Sequence, residues 1–421
     1  MNIFPSTDQK LNPFQFYSMM RQSNPVAHDD KNDLWGIFRY YDVQSILGDY
    51  THFSSNPPNL NNKKTLAEEK RQIPFTRTSL LKSDPPYHRT LRGVIASAFT
   101  PMAINKLEAR IEKVTHHFIN QVIEKGHMDL IADLAYPLPV TVIAELLGVP
   151  VEDRNLFHSW ADKLVSSAGG ELNDDHDSTK NLILIQTEMD DYFGAIIDKR
   201  TEKPQQDLIS DLIKAEADGN HLSREEILAF CTLILLAGHV TTVNLIGNAI
   251  LSLLQNPQQL KLLKEDTSHS LIPSAIEETL RYRSPVQAVF RITNGAVKVG
   301  EQTIQTGQGV VVWLGSANHD ESVFPDPETF DISRAPLGHS HMAFGQGIHF
   351  CLGAPLARLE GCIVLRTIIE RLKDLELDDK NDGKGDDSTP IIKPLPSLFF
   401  HGVSQLPLRF KPAAQRKLDS M

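Results

Sequence analysis

The sequence predicts a mainly α-helical fold that carries small β-sheets. Apolar residues recur at helical spacing over four long stretches, which lie near residues 104–124, 138–147, 181–198 and 260–283. Runs rich in β-branched and aromatic residues are short and scattered, and they lie at residues 34–40, 297–299, 309–314 and 406–410. Apolar residues also continue for more than 30 positions after Ser223, which predicts one unusually long helix.

Length and composition favour a single domain over residues 1–421. The chain has 421 residues, 41% of them hydrophobic, and no linker rich in Gly, Ser or Pro divides it. No internal repeat is visible, and the acidic stretch 378–387 is typical of a solvated loop between a helix and the last strands. One large domain is the simplest organisation, although it exceeds the usual size of a single core.

Charge and cysteine content narrow the class of protein. The formal net charge of −11 argues against nucleic acid as a general partner. The three cysteines, Cys231, Cys351 and Cys362, provide no disulfide framework and suit a reducing compartment. The first residues form neither a basic nor an apolar signal region, and no apolar run reaches about 18 residues. We therefore expect a soluble cytoplasmic protein without a membrane span.

The long helix has recognisable start and stop signals. Ser223 and Glu226 fit a capping box, in which the side chain of each residue binds the backbone N–H of the other. Asn256 and Pro257 end the pattern, so the helix would extend for about 45–50 Å at 1.5 Å per residue. A helix so long and so apolar must cross the core.

The middle of this helix departs from good helical composition. It consists of Ala237, Gly238, His239, Val240, Thr241 and Thr242. An interior glycine costs about 1 kcal/mol relative to alanine, and the threonine hydroxyls compete for backbone hydrogen bonds. This composition predicts a place where the helix opens to leave room for a ligand. The alternative is a helix that serves only to pack the core.

Cys351 lies at the turn before another predicted helix. Gly345, Gly347 and Gly353 flank the cysteine, and an apolar helical pattern begins near Leu356. Backbone N–H groups and the helix dipole at such a turn favour a thiolate and predict a lowered pKa for the thiol. A free cysteine is otherwise most often a small buried hydrophobic residue. The glycine spacing favours a metal ligand instead.

This segment closely resembles the haem-ligand signature of the cytochrome P450 haem-thiolate monooxygenases. That signature reads Phe-Gly-x-Gly-x-His-x-Cys-x-Gly, and its fixed positions are filled here by Phe344, Gly345, Gly347, His349, Cys351 and Gly353. The resemblance implies the cytochrome P450 fold, with the long central helix over a buried haem b whose iron binds the Cys351 thiolate. It extends from about residue 12 to 411 and is greatest to soluble bacterial members of the Bacillus type.

The central helix is similar to the oxygen-binding groove of that family, which reads Ala/Gly-Gly-x-Asp/Glu-Thr-Thr/Ser. The similarity implies that Ala237 and Gly238 lie beside the iron and that Thr241 orients dioxygen and its protons. One position departs, because Val240 stands where the family has an acid, and a valine cannot relay protons. His239, a water chain or a substrate hydroxyl could replace the acid, or coupling of electron input to oxygenation could be poor.

Four residues in three segments resemble the propionate partners of the family. His88 and Arg92 are four residues apart on one predicted helix face, a spacing that suits a carboxylate pair. They match the His-x-x-x-Arg that holds the haem propionates. Arg291 and His349 match the other two partners.

A further match concerns the fold rather than the haem. Glu278 and Arg281 share a helix face at a spacing of three, and alone such a pair is common on solvated surfaces. They match the Glu-x-x-Arg helix of the family, and Arg334 matches the arginine that completes its Glu-Arg-Arg network. The implied role of these three residues is structural.

The resemblance implies a monooxygenase that hydroxylates a hydrophobic small molecule such as a fatty acid, terpenoid, steroid or polyketide. The sequence contains no visible flavin or iron–sulfur module. This implies a separate ferredoxin or flavodoxin with its NAD(P)H-dependent reductase, docking near Arg89, Arg92 and Arg358. A peroxide-driven haem-thiolate peroxygenase or isomerase is one alternative, which Val240 favours. A haem sensor without enzymatic activity is the other.

Substrate contacts can be predicted only by their position in the chain. The candidate segments are Thr76–Lys82, Leu164–Ser167, Leu233–Thr241, Val286–Phe290 and Ser397–Phe400. They are mostly apolar with a few Ser, Thr and Gln residues, which suits a hydrophobic molecule with one or two polar groups. Each residue in them could equally belong to the core.

Overall fold

The computed structural model describes residues 1–56, 79–153, 155–157, 159, 160, 163, 176–217, 219–334, 340–378 and 392–413. The helices of this part of the chain are α1 (Phe14–Ser23), α2 (Tyr40–Gly48), α3 (Tyr87–Ala98), α4 (Pro101–Asn105), α5 (Glu108–Val122), α6 (Pro137–Leu146), α7 (His176–Glu202), α8 (Leu208–Lys214), α9 (Arg224–Gln255), α10 (Pro257–Glu265), α11 (Ile272–Tyr282), α12 (Leu314–Ala317) and α13 (Ala354–Arg371). The strands are β1 (Val26–Asp29), β2 (Leu34–Ile37), β3 (Phe53–Ser54), β4 (His127–Asp129), β5 (Glu216–Ala217), β6 (Asn220–His221), β7 (Ala288–Thr293), β8 (Val297–Val299), β9 (Gln302–Ile304), β10 (Gly309–Trp313), β11 (Leu372–Leu377), β12 (Lys393–Pro394), β13 (Val403–Gln405) and β14 (Pro407–Pro412). The predicted class, mainly α with small sheets, is confirmed.

The largest sheet has five strands in the order β1-β2-β10-β7-β3. β10 runs parallel to β2 and antiparallel to β7. Val310 and Val312 of β10 pack in one buried cluster with Ile37 and Phe53 from other strands of the sheet. Arg291 of β7 is paired in register with Val310, so the sheet fixes the backbone of this arginine.

Most predicted helices are present, and one is divided. The stretches near 104–124, 138–147 and 181–198 correspond to α5, α6 and α7, and α7 extends beyond its stretch at both ends. The stretch 260–283 forms two helices, because the Asp266 carboxylate accepts the Leu271 N–H at 2.7 Å after α10 ends. Pro273 then suits the first turn of α11, where its missing N–H costs no hydrogen bond.

The helix α9 crosses the core as predicted. It packs against α6, α7, α11 and α13. The Glu226 N–H donates to the Ser223 hydroxyl at 3.2 Å and the Ser223 N–H donates to the Glu226 carboxylate at 2.7 Å, which confirms the capping box. Asn256 caps the other end. Within the described ranges α9 is the one helix long and apolar enough to cross a membrane. A buried core helix can have the same length and apolar composition.

The predicted Glu-Arg-Arg network is confirmed in its contacts. The Arg281 guanidinium forms two hydrogen bonds to the Glu278 carboxylate, both 2.8 Å long, and Arg334 Nε lies 3.2 Å from the same carboxylate. Arg281 also donates to the carbonyls of Asn318 and Thr329, each at 3.0 Å. The network therefore ties α11 to the irregular chain that leads to Cys351.

Candidate active site

Cys351 lies in a loop directly before α13. Its backbone N–H donates to the Phe344 carbonyl at 2.9 Å, and the Phe350 N–H donates to the Gly347 carbonyl at 3.1 Å. Gly347 has a φ of 71°, and a Cβ there would come within 2.5 Å of the Leu47 carbonyl oxygen. Only glycine adopts this conformation at so close an approach. The loop therefore holds the thiol in a fixed place at the helix N-terminus.

The predicted lowering of the Cys351 pKa is wrong for the free thiol. Burial raises the pKa of Cys351 and is the largest effect on it. Backbone N–H groups of Gly353 and Ala354 lower the pKa, and the guanidiniums of Arg92 and Arg358 lower it too. The expected donors are present, but together they do not compensate for holding a charged sulfur away from water. A metal ion bound to the sulfur reverses this balance, because it deprotonates the thiol.

Four hydrogen-bonding or cationic side chains meet beside this loop. The rings of His88 from α3 and His349 from the loop have centroids 4.4 Å apart. Nε2 of each ring is buried and has no hydrogen-bond partner among the described residues. The positive charges of Arg291 and Arg92 both lower the pKa of His349. Arg92 also donates a hydrogen bond to the Phe350 carbonyl at 2.8 Å. The four predicted propionate partners are thus brought together from three segments.

The cluster of His88, Arg92, Arg291 and His349 has too few negatively charged groups to balance its cationic and donor groups. Burial, together with the positive charges of Arg291 and the other cationic neighbours, lowers the pKa of His349 to about 3. Asp84 raises it, but this carboxylate already accepts the Ser54 hydroxyl and, at 3.1 Å, the Ser55 N–H. Buried donors without an acceptor are costly. A ligand with two carboxylates suits this arrangement.

One stripe of α9 is accessible rather than buried. Leu233, Ala237 and Thr241 lie four residues apart and are accessible, whereas Leu235 and Val240 are buried. The Thr241 hydroxyl donates to the Ala237 carbonyl at 2.7 Å, and the helix is continuous through this region. The predicted opening is therefore not a break in the helix. The helix is intact, and the accessible side chains of Leu233, Ala237 and Thr241 lie along it.

The residues between Ala237 and Thr241 face neighbouring elements. Gly238 lies against α6, where a Cβ would come within 2.8 Å of the Ile143 side chain. The buried His239 ring packs edge-on against Tyr136 at a centroid distance of 4.5 Å. Val240 is also buried. Gly238 therefore allows α6 to approach α9 closely.

Two of the segments predicted to contact substrate meet each other. Val286 forms an isolated bridge with Phe400, and the Gln287 N–H donates to the Phe399 carbonyl at 2.8 Å. Phe290 of β7, in the first of these two segments, is exposed. Residues 76–78 of the segment that begins at Thr76, and the whole segment 164–167, lie outside the described residues.

Known proteins share this sequence and this fold. The family model "Cytochrome P450" matches residues 31–397. The chain belongs to the cytochrome P450 family. It is 38% identical to cytochrome P450 109 from Bacillus spizizenii, over 96% of this chain and 93% of that protein. It is 40% identical to cyclomarin C epoxidase CymV from Salinispora arenicola, over 85% and 88% of the two chains. The crystal structure of CYP109E1 from Bacillus megaterium in complex with testosterone is 37% identical and has a TM-score of 0.82, over 94% of this chain and 99% of that one.

This cytochrome P450 is a haem monooxygenase that uses dioxygen, a redox partner and a hydrophobic substrate. The residues present fit the haem. The unpaired Nε2 atoms of His88 and His349, beside Arg92 and Arg291, suit two propionates. The thiol of Cys351, fixed on the same loop as His349, would suit a thiolate ligand of the iron.

Two acidic residues near the site of this cytochrome P450 have no role in the sequence-based prediction. The negative charge of the Asp84 carboxylate raises the pKa values of three of the four predicted propionate partners, His88, Arg291 and His349. Glu360 of α13 is buried and hydrogen-bonded to the Thr242 hydroxyl of α9. A signal for Glu360 exists in the sequence, because Leu356 and Val364, four residues away on either side, are apolar and buried. A glutamate therefore interrupts the buried stripe of a helix.

Proposed function

We propose that Cys351 would supply the thiolate ligand of the haem iron and that His88, Arg92, Arg291 and His349 would hold the haem propionates. The observation that carries this proposal is the pair of buried, unpaired Nε2 atoms in His88 and His349, which lie beside two arginines. Buried polar atoms without partners are uncommon in native proteins, and bound carboxylates would satisfy these.

Phe344 and Gly353 would support the thiolate. The Gly353 N–H lowers the pKa of the Cys351 thiol, so it would stabilise negative charge on the sulfur. The Phe344 ring lies 4.5 Å from the Arg358 guanidinium, which binds Glu277 with hydrogen bonds of 2.6 and 2.9 Å. This pair would hold the aromatic ring beside the loop and keep water from the sulfur.

The accessible stripe of α9 would line the opposite side of the site. A bound haem would supply the oxygen chemistry, in which dioxygen, two electrons and two protons give one oxygen atom in the substrate and one molecule of water. Thr241 offers a hydroxyl that both donates and accepts, beside the small side chain of Ala237. Gly238, His239 and Val240 would position this stripe by packing behind it.

The substrate would be a hydrophobic small molecule with one or two polar groups, of the fatty acid, terpenoid, steroid or polyketide class. Apolar side chains in the two segments that meet near the site, Val286–Phe290 and Ser397–Phe400, support this class. A steroid is the first candidate, because a relative of 37% identity was crystallised with testosterone. A change in the haem spin state upon titration with each class would identify the substrate.

The electrons would come from a ferredoxin or flavodoxin and its NAD(P)H-dependent reductase in the cytoplasm. Residues 1–421 would form one domain. Arg89 is exposed on α3 and is the freest of the three predicted docking arginines, because Arg92 binds Phe350 and Arg358 binds Glu277. We expect Arg89→Glu to slow electron transfer from the reduced partner, with a smaller effect at high salt, where the charges are screened.

The optical spectrum of the reduced carbon monoxide complex tests the haem ligand directly. We expect the wild type to show a thiolate-type spectrum and Cys351→His to bind haem without it. Cys362→Ser is the matched control, since Cys362 lies on α13 eleven residues later and should leave the spectrum unchanged. A thiolate-type spectrum that survives in Cys351→His would contradict the proposal.

A further inference from the structure

Glu277 of α11 binds two side chains that flank the Cys351 loop. Its carboxylate accepts two hydrogen bonds from the Arg358 guanidinium, one of 2.6 Å from Nε and one of 2.9 Å from Nη2. Its Oε2 also lies 3.1 Å from Nε2 of His341. A single carboxylate of α11 therefore holds one residue that precedes the cysteine and one that follows it.

The His341 ring is oriented for this contact. The Ala343 N–H donates to its Nδ1 at 3.3 Å, so in the neutral ring Nε2 carries the proton and donates to Glu277. The Phe344 ring lies near both partners of the carboxylate. Its centroid is 6.0 Å from the centroid of the His341 ring and 4.5 Å from Cζ of Arg358. Glu277 thus fixes two neighbours of the Phe344 ring.

Two guanidinium charges lie within electrostatic reach of Cys351, and they belong to Arg92 and Arg358. Arg92 donates to the Phe350 carbonyl, and in the described ranges of the chain it forms no ion pair with a carboxylate. Arg358 is paired with Glu277 through two hydrogen bonds. An adjacent opposite charge reduces the field of a cation at a distance. Glu277 therefore controls how much of the Arg358 charge the sulfur experiences.

The ion pair of Glu277 and Arg358 is charged at neutral pH and well oriented. Burial opposes ionisation of the carboxyl, but the hydrogen bonds from Arg358 and His341 outweigh burial and lower the pKa of Glu277 to about 2. The side chains of the pair are 42% and 36% exposed, so water screens it in part. The two parallel hydrogen bonds nevertheless hold the charges in one geometry.

We propose that Glu277 is a positioning residue that sets the reduction potential of the bound haem, by holding the Arg358 guanidinium beside the Cys351 loop and offsetting its positive charge. This inference rests on the proposed function, in which Cys351 is the ligand of the haem iron. Reduction adds an electron to the haem site, so an unbalanced positive charge nearby favours the reduced form. Glu277 removes that bias and keeps the potential low.

Redox titration of the holoenzyme with dithionite, followed by the haem absorbance, tests this charge balance without turnover. Glu277→Gln keeps the size of the side chain and an acceptor for Arg358 but removes the negative charge. We expect the ratio of reduced to oxidised haem at a fixed ambient potential to rise by about threefold or more, because the Arg358 charge is no longer offset. Arg358→Gln should lower this ratio, since it leaves the Glu277 charge unopposed.

Two further variants separate the effect of charge from the effect of shape. Arg358→Lys keeps the positive charge and should stay closer to the wild-type potential than Arg358→Gln does. The double variant with Glu277→Gln and Arg358→Gln removes both charges and should return the potential close to that of the wild type. A purely structural role predicts instead that both single variants loosen the loop and shift the potential in one direction. The two Arg358 variants keep the test decisive even where Glu277→Gln does not fold.

Glu112→Gln is the matched control. Glu112 of α5 pairs with Arg366, which lies about two turns farther along α13 than Arg358, so this variant should keep the wild-type potential. Glu277→Gln should keep the thiolate-type spectrum of the reduced carbon monoxide complex, which shows that the iron ligand is unchanged.

Three results would overturn the inference. They are an unchanged potential in both Glu277→Gln and Arg358→Gln, shifts of the same sign in these two variants, and an equal shift in Glu112→Gln. A wild type without a thiolate-type spectrum would instead contradict the proposed function.

Discussion

Gly347 shows how one backbone conformation supports the Cys351 loop. Its φ is 71°, and a Cβ at this position would come within 2.5 Å of the Leu47 carbonyl oxygen, which leaves no room for a side chain. We expect Gly347→Ala to destabilise the loop by about 1–3 kcal/mol from backbone strain, with further loss from the contact. Haem retention during gel filtration and the denaturant midpoint would both fall.

The control for this substitution is a glycine without those constraints. A Cβ at Gly295 would have no atom within 4 Å, and this glycine has no positive φ. Gly295→Ala should therefore change haem retention little. Equal haem loss from the two variants would show that the Gly347 conformation is not what holds the loop.

For single residues, the sequence predicts where a side chain lies in the fold better than it predicts the pKa of that side chain. The signature around Cys351 correctly predicts a helix N-terminus with backbone donors, because glycine spacing and helix starts are local properties. It does not predict the direction of the thiol pKa, since burial depends on residues distant in the chain. Glu360 illustrates the same limit, because its contact with Thr242 arises only when α13 packs on α9.

Among the elements, α11 depends on a charge network that is almost wholly buried. Glu278 and Arg281 each have side chains only 3% exposed, and Arg334 completes the network. Removing Arg281 leaves the buried Glu278 carboxylate with only the longer, 3.2 Å contact to Arg334. We expect Arg281→Ala to lower the free energy of unfolding by about 3–5 kcal/mol in urea titrations that follow haem absorbance.

An exposed ion pair on the neighbouring helix provides the comparison. Lys261 and Glu265 of α10 lie 3.7 Å apart, with side chains 75% and 64% exposed. Water and salt screen such a pair, so Lys261→Ala should cost about 0.5 kcal/mol or less. Comparable losses in the Arg281 and Lys261 variants would contradict a structural role for the buried network.

The helices also show which boundaries a sequence can predict. The ends of α9 follow from Ser223, Glu226 and Asn256, whose side-chain and backbone chemistry is local. The division of 260–283 was not predicted, because the signal is a single aspartate that accepts a hydrogen bond from five residues later. The expected opening of α9 is absent, since the Thr241 hydroxyl bonds to a carbonyl of an unbroken helix.

Over the whole molecule, packing between elements that are distant in the sequence determines which side chains of the motifs lie close together. His88, Arg291 and His349 come from α3, β7 and the Cys351 loop, and the fold brings them within electrostatic reach of one another. A family pattern can place such residues by resemblance. It cannot show that Asp84 joins them or that the buried Glu360 contacts Thr242 of α9, because these contacts depend on how elements pack in this chain.

Buried histidines predict that the folded protein is sensitive to acid. His401 is 2% exposed, its Nε2 lies 2.9 Å from the Leu11 carbonyl, and burial lowers its pKa from 6.5 to about 3. The unfolded chain therefore binds more protons than the folded chain between these values. Stability is fully present above pH 6.5 and falls as the pH drops toward 3, by up to about 1.4 kcal/mol per pH unit for one such group.

Denaturant titrations of the holoenzyme between pH 4 and 7.5 test this linkage. We expect His401→Gln to be slightly less stable than wild type at pH 7, because the contact with Leu11 is weakened, and to lose stability less steeply below pH 6.5. His117→Gln alters an exposed histidine of α5 and should keep the wild-type slope. The decisive quantity is the slope rather than the absolute stability, because loss of packing alone lowers the stability equally at every pH. Parallel curves for wild type and His401→Gln would show that acid sensitivity arises at other groups.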